Sequence, residues 1–346
     1  MNARERFLAV LDKRLPDRVP TFEIIIHPKV IEALCPGGTY ADFVEAMDIE
    51  GVITGTPSSL YSKTVVDAER HLVRDEWGVL RQTGVEVVPF PMGGPIATMD
   101  DVLAYKAPDP FAPGRLQQLE DLLRRFQGQR AVGVHLHDSF NYPTYLMGMD
   151  KLLMALYLDP DLVRAVVEIS VAHSLSMIER ATSMGADFIL FGDDYASSAG
   201  PLMRPEQFEE FFLPGLATVV QAAKSRGARV IKHSCGRITA LLDMIVGTGV
   251  DALHPLDQAA GMDMAAVKAK YGVGGAGRIA VCGGINCGET LSDWTPEQVQ
   301  EEVRRRLAEL APGGGYILCS SNSIHSTVRP ENYKAMIDAL HQWGHY

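Results

Sequence analysis

Between residues 131 and 343, short runs of apolar and β-branched residues alternate with helical stretches, and this alternation narrows the possible folds more than any other feature of the chain. Ala131 to His137, Asp187 to Phe191, Arg229 to His233, Val250 to His254, Arg278 to Val281 and Tyr316 to Cys319 read as strands. Helical patterns separate them: Leu152 to Tyr157 with Leu162 to Met184, then Pro205 to Ser225, Ile238 to Val246, Met264 to Tyr271, Pro296 to Leu310 and finally Pro330 to Trp343. Gly185, Gly227, Gly249, Gly272 and the run Gly313 to Gly315 stand where each helix must stop before the next strand begins. Strands alternating with helices pair in parallel, because each crossover needs a helix-length connection. Val19 to His27 and Gly51 to Gly55 supply two further strands upstream, each with helical sequence nearby. Eight β/α units in all predict a (β/α)8 TIM barrel, although an open doubly wound sheet would show the same alternation.

Two stretches depart from this rhythm. Val65 to Val88 reads as antiparallel ribbon, with turn signals at Asp75-Glu76-Trp77-Gly78 and Thr83-Gly84. Together with Pro89 to Pro95 and a helix from Leu116 to Phe126, it forms an insertion at about residues 58–128 that covers one end of the barrel. The whole chain, 1–346, is then one domain. Ala3 to Lys13 places Phe7, Val10 and Leu11 on one helical face and is expected to lie outside the main fold.

Charge and cysteine usage restrict the function. The net charge of −11 comes with no basic block, which argues against nucleic acid as a partner. No apolar run is long enough to span a bilayer, and no signal-peptide pattern is present. Five cysteines at irregular spacings fit a reducing cytoplasm, and point to metal ligation or reactive thiols rather than a disulfide framework.

In a parallel barrel, chemistry belongs at the C-terminal ends of the strands. Glu23, His27, His135 to Asn141, Asp193 to Tyr195, His233 to Cys235, His254, Asn286 and Cys319 to Asn322 all fall there. Strand parity sends His233 and Cys235 to one side, an imidazole and a thiol within reach of one ion. A catalytic zinc takes three protein ligands and keeps a position open. Cys319, ending the last strand, is the expected third ligand, with Cys282 as its rival. Each residue also has a plainer reading: a strand-end cysteine packs as a small apolar group, and a strand-end histidine simply hydrogen-bonds.

His233-x-Cys235-Gly236, Gly283-Gly284-Ile285-Asn286, and Tyr316 to Asn322 with Pro330-Glu331-Asn332 together resemble the uroporphyrinogen decarboxylase superfamily. Gly192-Asp193-Asp194-Tyr195, Gly200-Pro201-Leu202, Pro205-Glu206 and Asp75 to Gly78 strengthen the resemblance. It implies a single (β/α)8 barrel. The arginine-rich segment that true uroporphyrinogen decarboxylases carry after the first strand is missing. Glu23 stands there instead, and a polycarboxylate tetrapyrrole would meet like charge. The sequence is more similar to the corrinoid-dependent methyltransferases of the superfamily, whose His-x-Cys…Cys pattern holds Zn2+. On that resemblance His233, Cys235 and Cys319 are the metal ligands. A small methylated or methoxylated substrate is demethylated, and the corrinoid rides on a separate protein, since its Asp-x-His-x-x-Gly signature is missing here. Transfer from methyl-cobalt to a thiol such as coenzyme M, or to tetrahydrofolate, is the other branch. Metal-free decarboxylation of a smaller acid and a non-catalytic corrinoid-binding barrel are the remaining readings. The resemblance makes Asp193 catalytic; Asp193 and Tyr195 are placed to orient substrate or accept a proton, and Glu23 to serve as a general base or a fourth metal ligand. A helix-capping role for the Asp193-Asp194 pair is the plain alternative. His135, His137, Asn141, Asn286 and Asn322 are the expected substrate-binding and supporting residues. A homodimer is compatible with all of this.

Overall fold

A computed structural model describes residues 1–56, 63–84 and 86–346. Its core is a parallel sheet of β1 (Gly51–Ile53), β6 (Ala131–Leu136), β7 (Phe188–Gly192), β10 (Arg229–His233), β11 (Ala252–His254), β12 (Ala280–Ile285) and β13 (Tyr316–Ser320), hydrogen-bonded in that order. Residues 20–22 close the ring. Thr21 bridges in parallel to Leu318 of β13, and Phe22 to Gly51 of β1. The result is the expected TIM-barrel-like α/β fold.

The first strand is shorter than Val19 to His27 predicts. Only Thr21, Phe22 and Ile26 make ladder contacts there. Between them the chain leaves the ladder, and the Glu23 carboxylate accepts the Ser320 N–H (3.1 Å) and hydroxyl (2.5 Å).

Alternation along the strands divides the core in two. Phe22, Ile53, Ala131, Phe188, Leu190, Ile231, Ala252, Ala280, Cys282, Ile317 and Cys319 fill the barrel interior. Alternate residues such as Val132, Ile189, Val230, Val281 and Leu318 pack outward against the helices. The helix Ala3–Leu11 does not lie outside this fold. Its Phe7, Leu8, Val10 and Leu11 join the interior cluster and form the floor. The Phe7 ring packs edge-on to Phe22 (5.7 Å) and against Phe188 (5.2 Å). Gly51 makes this possible, because a Cβ there would come within 2.5 Å of the Phe7 ring. Ion pairs fasten the floor to the strand starts: Arg4 to Asp187 (2.6 Å), Arg229 to Asp12 (2.9 Å) and Lys13 to Asp251 (2.8 Å). Asp187 and Asp251 also accept the backbone N–H groups of Val132 and Val230, so each carboxylate joins helix to sheet.

The insertion is an antiparallel sheet, β2 (Lys63–Asp67), β3 (Leu72–Asp75), β4 (Leu80–Gln82) and β5 (Phe90–Gly93), followed by helices Met99–Ala104 and Gln117–Phe126. Its expected beginning near residue 58 lies outside the described residues. The expected turn at Asp75 to Gly78 is present, with the Asp75 carboxylate accepting the N–H groups of Trp77 and Val79. Short strands β8 (Ala196–Ser197) and β9 (Gly200–Pro201) follow β7. The helix expected from Pro205 to Ser225 carries a π-type turn at Phe208–Phe212. Pro214 has no N–H to give there, and the Phe212 carbonyl accepts the Ser139 hydroxyl at 2.7 Å. Among the described residues no helix is long and apolar enough to cross a membrane.

Candidate metal centre

Strand β10 presents Ile231 and His233 to the lumen and Lys232 to the outer layer, as its parity dictates. Just past its end Cys235 turns back beside His233, and Gly236 adopts φ +80°, where a Cβ would sit 2.4 Å from the Ala196 carbonyl oxygen. The Cys235 N–H donates to Asp194 Oδ1 at 2.8 Å. His233 Nε2 lies 3.2 Å from that same oxygen and 3.4 Å from Cys235 Sγ. Among the described residues, Asp194, His233 and Cys235 form the one group of three potential ligands whose donor atoms all fall within 4.8 Å of one another. The other nitrogen of His233, Nδ1, is 2.7 Å from Nδ1 of His254. Burial and the neighbouring His233 depress His254 well below the usual histidine range, so it stays neutral. Without a cation, Nε2–H is placed to donate to Asp194; with one bound, a proton on His233 Nδ1, donated to His254, would leave the Nε2 lone pair for the ion. Metal-ligating histidines are commonly oriented this way.

The electrostatics suit a cation. Burial pushes the Asp194 carboxyl up, but the bond and charge of His233, the Cys235 N–H and the charge of Lys232 together outweigh it and hold the group down at about 2. Burial and Asp194 push the Cys235 thiol well up, so it is neutral until a cation displaces its proton.

Cys319 is not in this group. It lies in β13 opposite Gly284 of β12 and is fully buried in the interior cluster with Ile317 and Cys282. Burial, with Glu23 and Cys282 beside it, raises its thiol far above the ordinary range. Cys282 shares that interior position and is likewise raised by burial. The residue that reaches Cys235 from the β13 end is Asn322, whose Nδ2 donates to Sγ at 3.3 Å. The sequence reading passes over Asp194 for Cys319, yet a signal was present. Parity puts residues 188, 190 and 192 of β7 inward, and the next in that series is 194.

Asp193 faces the other way and is committed. One oxygen meets His137 Nδ1 at 2.7 Å, and the other accepts the N–H groups of Asp138 (3.1 Å), Phe140 (2.8 Å) and Asn141 (3.0 Å). Burial alone would raise this carboxyl, but these bonds, His137 foremost, hold it below the ordinary carboxylate range. Asp193 therefore orients His137 and pins the loop after β6. Asn141 spans the same strand ends, donating to the Gly192 carbonyl (2.9 Å) and accepting the Asp194 N–H (3.2 Å). The Tyr195 hydroxyl donates to Asp138 Oδ1 at 2.6 Å, behind the sheet. His135 projects over Gly192, where a Cβ would come within 2.0 Å of its Nε2. Its Nδ1 is 3.3 Å from the Thr56 hydroxyl, and its buried Nε2 has no hydrogen-bond partner among the described residues. Burial and the adjacent His137 keep it neutral. Asn286 spends its carbonyl on the N–H groups of Gly288 and Glu289, which builds a turn. Burial raises the Glu23 carboxyl to about 8. Trp77 of the insertion stacks on Tyr142 at 3.9 Å, and Tyr142 meets His137 edge-on at 4.9 Å, forming an aromatic wall that runs from insertion to mouth.

The profile of the uroporphyrinogen decarboxylase (URO-D) family matches residues 81–343. Uroporphyrinogen decarboxylase of Psychromonas ingrahamii is 26% identical over 262 residues, 72% of this chain and 70% of that protein. The Anaeromyxobacter dehalogenans enzyme is 27% identical over 274 residues, covering 73% and 71%. Among solved structures, a methyltransferase from Methanosarcina mazei superposes with a TM-score of 0.76 over 99% of both chains at 17% identity, a likeness of fold.

Proposed function

The chain belongs to the uroporphyrinogen decarboxylase family, and from that premise we propose that it is a zinc-dependent methyltransferase, moving a methyl group from a small methoxylated or methylated substrate to the Co(I) corrinoid of a separate protein. The observation that carries this reading is the convergence of an imidazole, a thiol and a carboxylate at the barrel mouth, His233, Cys235 and Asp194. The fold-level likeness to a methyltransferase supports it. The three side chains fit Zn2+ in type and in mutual spacing, and as three protein ligands they leave a position open. In that position the ion would draw charge from the oxygen that carries the methyl group and ease its departure as an alkoxide or phenolate.

The rest falls to the chain's own residues. His254 orients His233. Asp193 holds His137, and Asn141 ties the ends of β6 and β7 together, so the mouth is fixed before substrate arrives. The Nε2 of neutral His135, without a partner among the described residues, is placed to hydrogen-bond a polar group of the substrate. Tyr142, Tyr145 and His137 offer ring faces and edges to an aromatic one. Glu23, protonated through neutral pH, serves the β13 end through Ser320.

A donor set with one thiolate and one carboxylate is less electron-rich than one with two thiolates. It favours activation of an oxygen leaving group over activation of a thiolate nucleophile. That preference sets demethylation ahead of transfer from methyl-cobalt to a coenzyme M-like thiol or to tetrahydrofolate. The names of the sequence relatives favour a second reading, decarboxylation. For the tetrapyrrole itself the missing arginine-rich segment and the ionised Asp194, rather than the protonated Glu23, oppose it, which leaves a smaller acid.

Incubation with cob(I)alamin and a panel of methoxy compounds, following loss of the Co(I) absorbance, tests the proposal. Turnover only with methylcobalamin and free thiol selects the other branch. Loss of carbon dioxide from a carboxylic acid without metal selects decarboxylation. Corrinoid binding with no turnover leaves a binding barrel.

A further inference from the structure

We propose that Lys232 is a positioning residue that sets the geometry of the His233–Cys235–Asp194 site from behind the sheet, an inference that rests on the metal reading of that site. Lys232 is the outward residue of β10 between two lumen-facing ones, and its side chain is fully buried, as is that of Asp138. Its ammonium lies 2.9 Å from Asp138 Oδ2 and donates to the carbonyl oxygens of Asp193 (2.9 Å) and His233 (2.8 Å). Two of its protons are given to these carbonyls, and its charge faces Asp138 Oδ2 as an ion pair. The Tyr195 ring lies under it at 4.1 Å, and the Tyr195 hydroxyl holds the other oxygen of Asp138.

The three partners sit at the ends of β6, β7 and β10, which are neighbours in the ring. Asp193 immediately precedes Asp194, and His233 is itself a ligand two residues before Cys235. One cation thus fixes the backbone from which all three donor side chains project.

A packing role does not account for such a group. Burying an ammonium and a carboxylate forfeits their hydration, and apolar residues of like volume commonly stabilise as well or better. What the pair supplies is a single arrangement of three strand ends. Metal sites depend on such supporting contacts, whose loss typically costs ten- to a hundredfold in affinity.

The test uses the full chain with Lys232→Met and Asp138→Asn variants, the latter keeping the lysine and its two carbonyl bonds. Co(II) is titrated into metal-free protein. Its affinity is measured against a chelator, and its absorption spectrum reports the coordination geometry. Alkylation of Cys235 in the metal-free protein is followed by peptide mass spectrometry, with Cys35 as internal control. In a folded Lys232→Met protein we expect Co(II) to bind about ten- to a hundredfold more weakly with a changed ligand-field spectrum, and Cys235 to alkylate several-fold faster while Cys35 does not change. Wild-type affinity, spectrum and alkylation rate in that variant overturn the proposal. If it does not fold, Asp138→Asn decides by the same criteria, with about a tenfold loss of affinity expected. Failure of the wild type to bind Co(II) removes the metal reading. The alkylation rates then judge Lys232 alone, and equal rates overturn its role.

Discussion

Cys235 and Cys319 each stand at the end of a strand in one closed ring, on the lumen side, and the structure gives them opposite surroundings. Cys235 lies beyond the last residue of β10, among His233, Asp194 and Asn322, and is half-buried. Cys319 lies within β13, still paired to Gly284, with Ile317 and Cys282 around it and no exposure. Parity assigns both to the lumen and says nothing about depth. Depth depends on where each ladder stops and on how neighbouring strands are staggered. At the β13 end the side chain level with Cys235 is three residues further on, at Asn322.

The largest expected effect comes from breaking the β10 end. Structural zinc binding is worth about 10–16 kcal/mol in zinc-finger peptides, which use four ligands, so each ligand carries ~3 kcal/mol, on the order of a hundredfold. His233→Ala and Cys235→Ser should each abolish near-stoichiometric zinc on elemental analysis of the purified protein, whereas Cys319→Ser keeps it. Zinc lost equally in all three would erase the contrast between the cysteines.

Beside Cys319, Glu23 gives the next effect. Its folded-state value of about 8 lies above the ordinary 4.5, so between those values the native chain holds a proton that the unfolded chain has released. Stability from this group is complete below about pH 4.5 and falls as pH rises toward 8, with a slope approaching ~1.4 kcal/mol per unit. Glu23→Gln should flatten that decline in urea unfolding from pH 5 to 8. An unchanged slope would show that Glu23 is not held protonated.

Cys319→Ser sharpens the comparison by stability. A hydroxyl without a partner in the barrel interior should cost about 1–3 kcal/mol in unfolding free energy, with metal content unchanged. The smallest effect falls at the meeting point of the two ends. Asn322→Ala should weaken zinc about tenfold through loss of its hydrogen bond to Cys235, and Asn322→Cys should strengthen it by supplying the second thiol that residue 319 does not. Chelator competition reads both.

Much of the fold was legible because alternation, glycine stops and strand parity are local, repeating signals. What escaped needed distances. Val19 to His27 reads as one strand, but Glu23 prefers Ser320, nearly three hundred residues away, to continuing the ladder. His233, Cys235 and the lumen position of His135 followed from parity. Asp194 was equally available to that rule and lost to a cysteine, because thiols look more like ligands than carboxylates do. Lys232 carried no signal at all. A lysine in a strand reads as solvent-facing until its carboxylate and carbonyl partners are known.

The barrel's floor carries one more consequence. Residues 3–11 share the interior cluster with Ile317 and Cys319, and Asp187, Arg229 and Asp251, which anchor residues 4, 12 and 13, stand at the starts of strands from the middle of the chain. This segment has no binding place until sheets made much later in the sequence have come round to meet it. Assembly of such a ring is dominated by distant partners, which makes it slow. The segment's arrival is the step that turns a curled sheet into a sealed vessel, open only where the chemistry is.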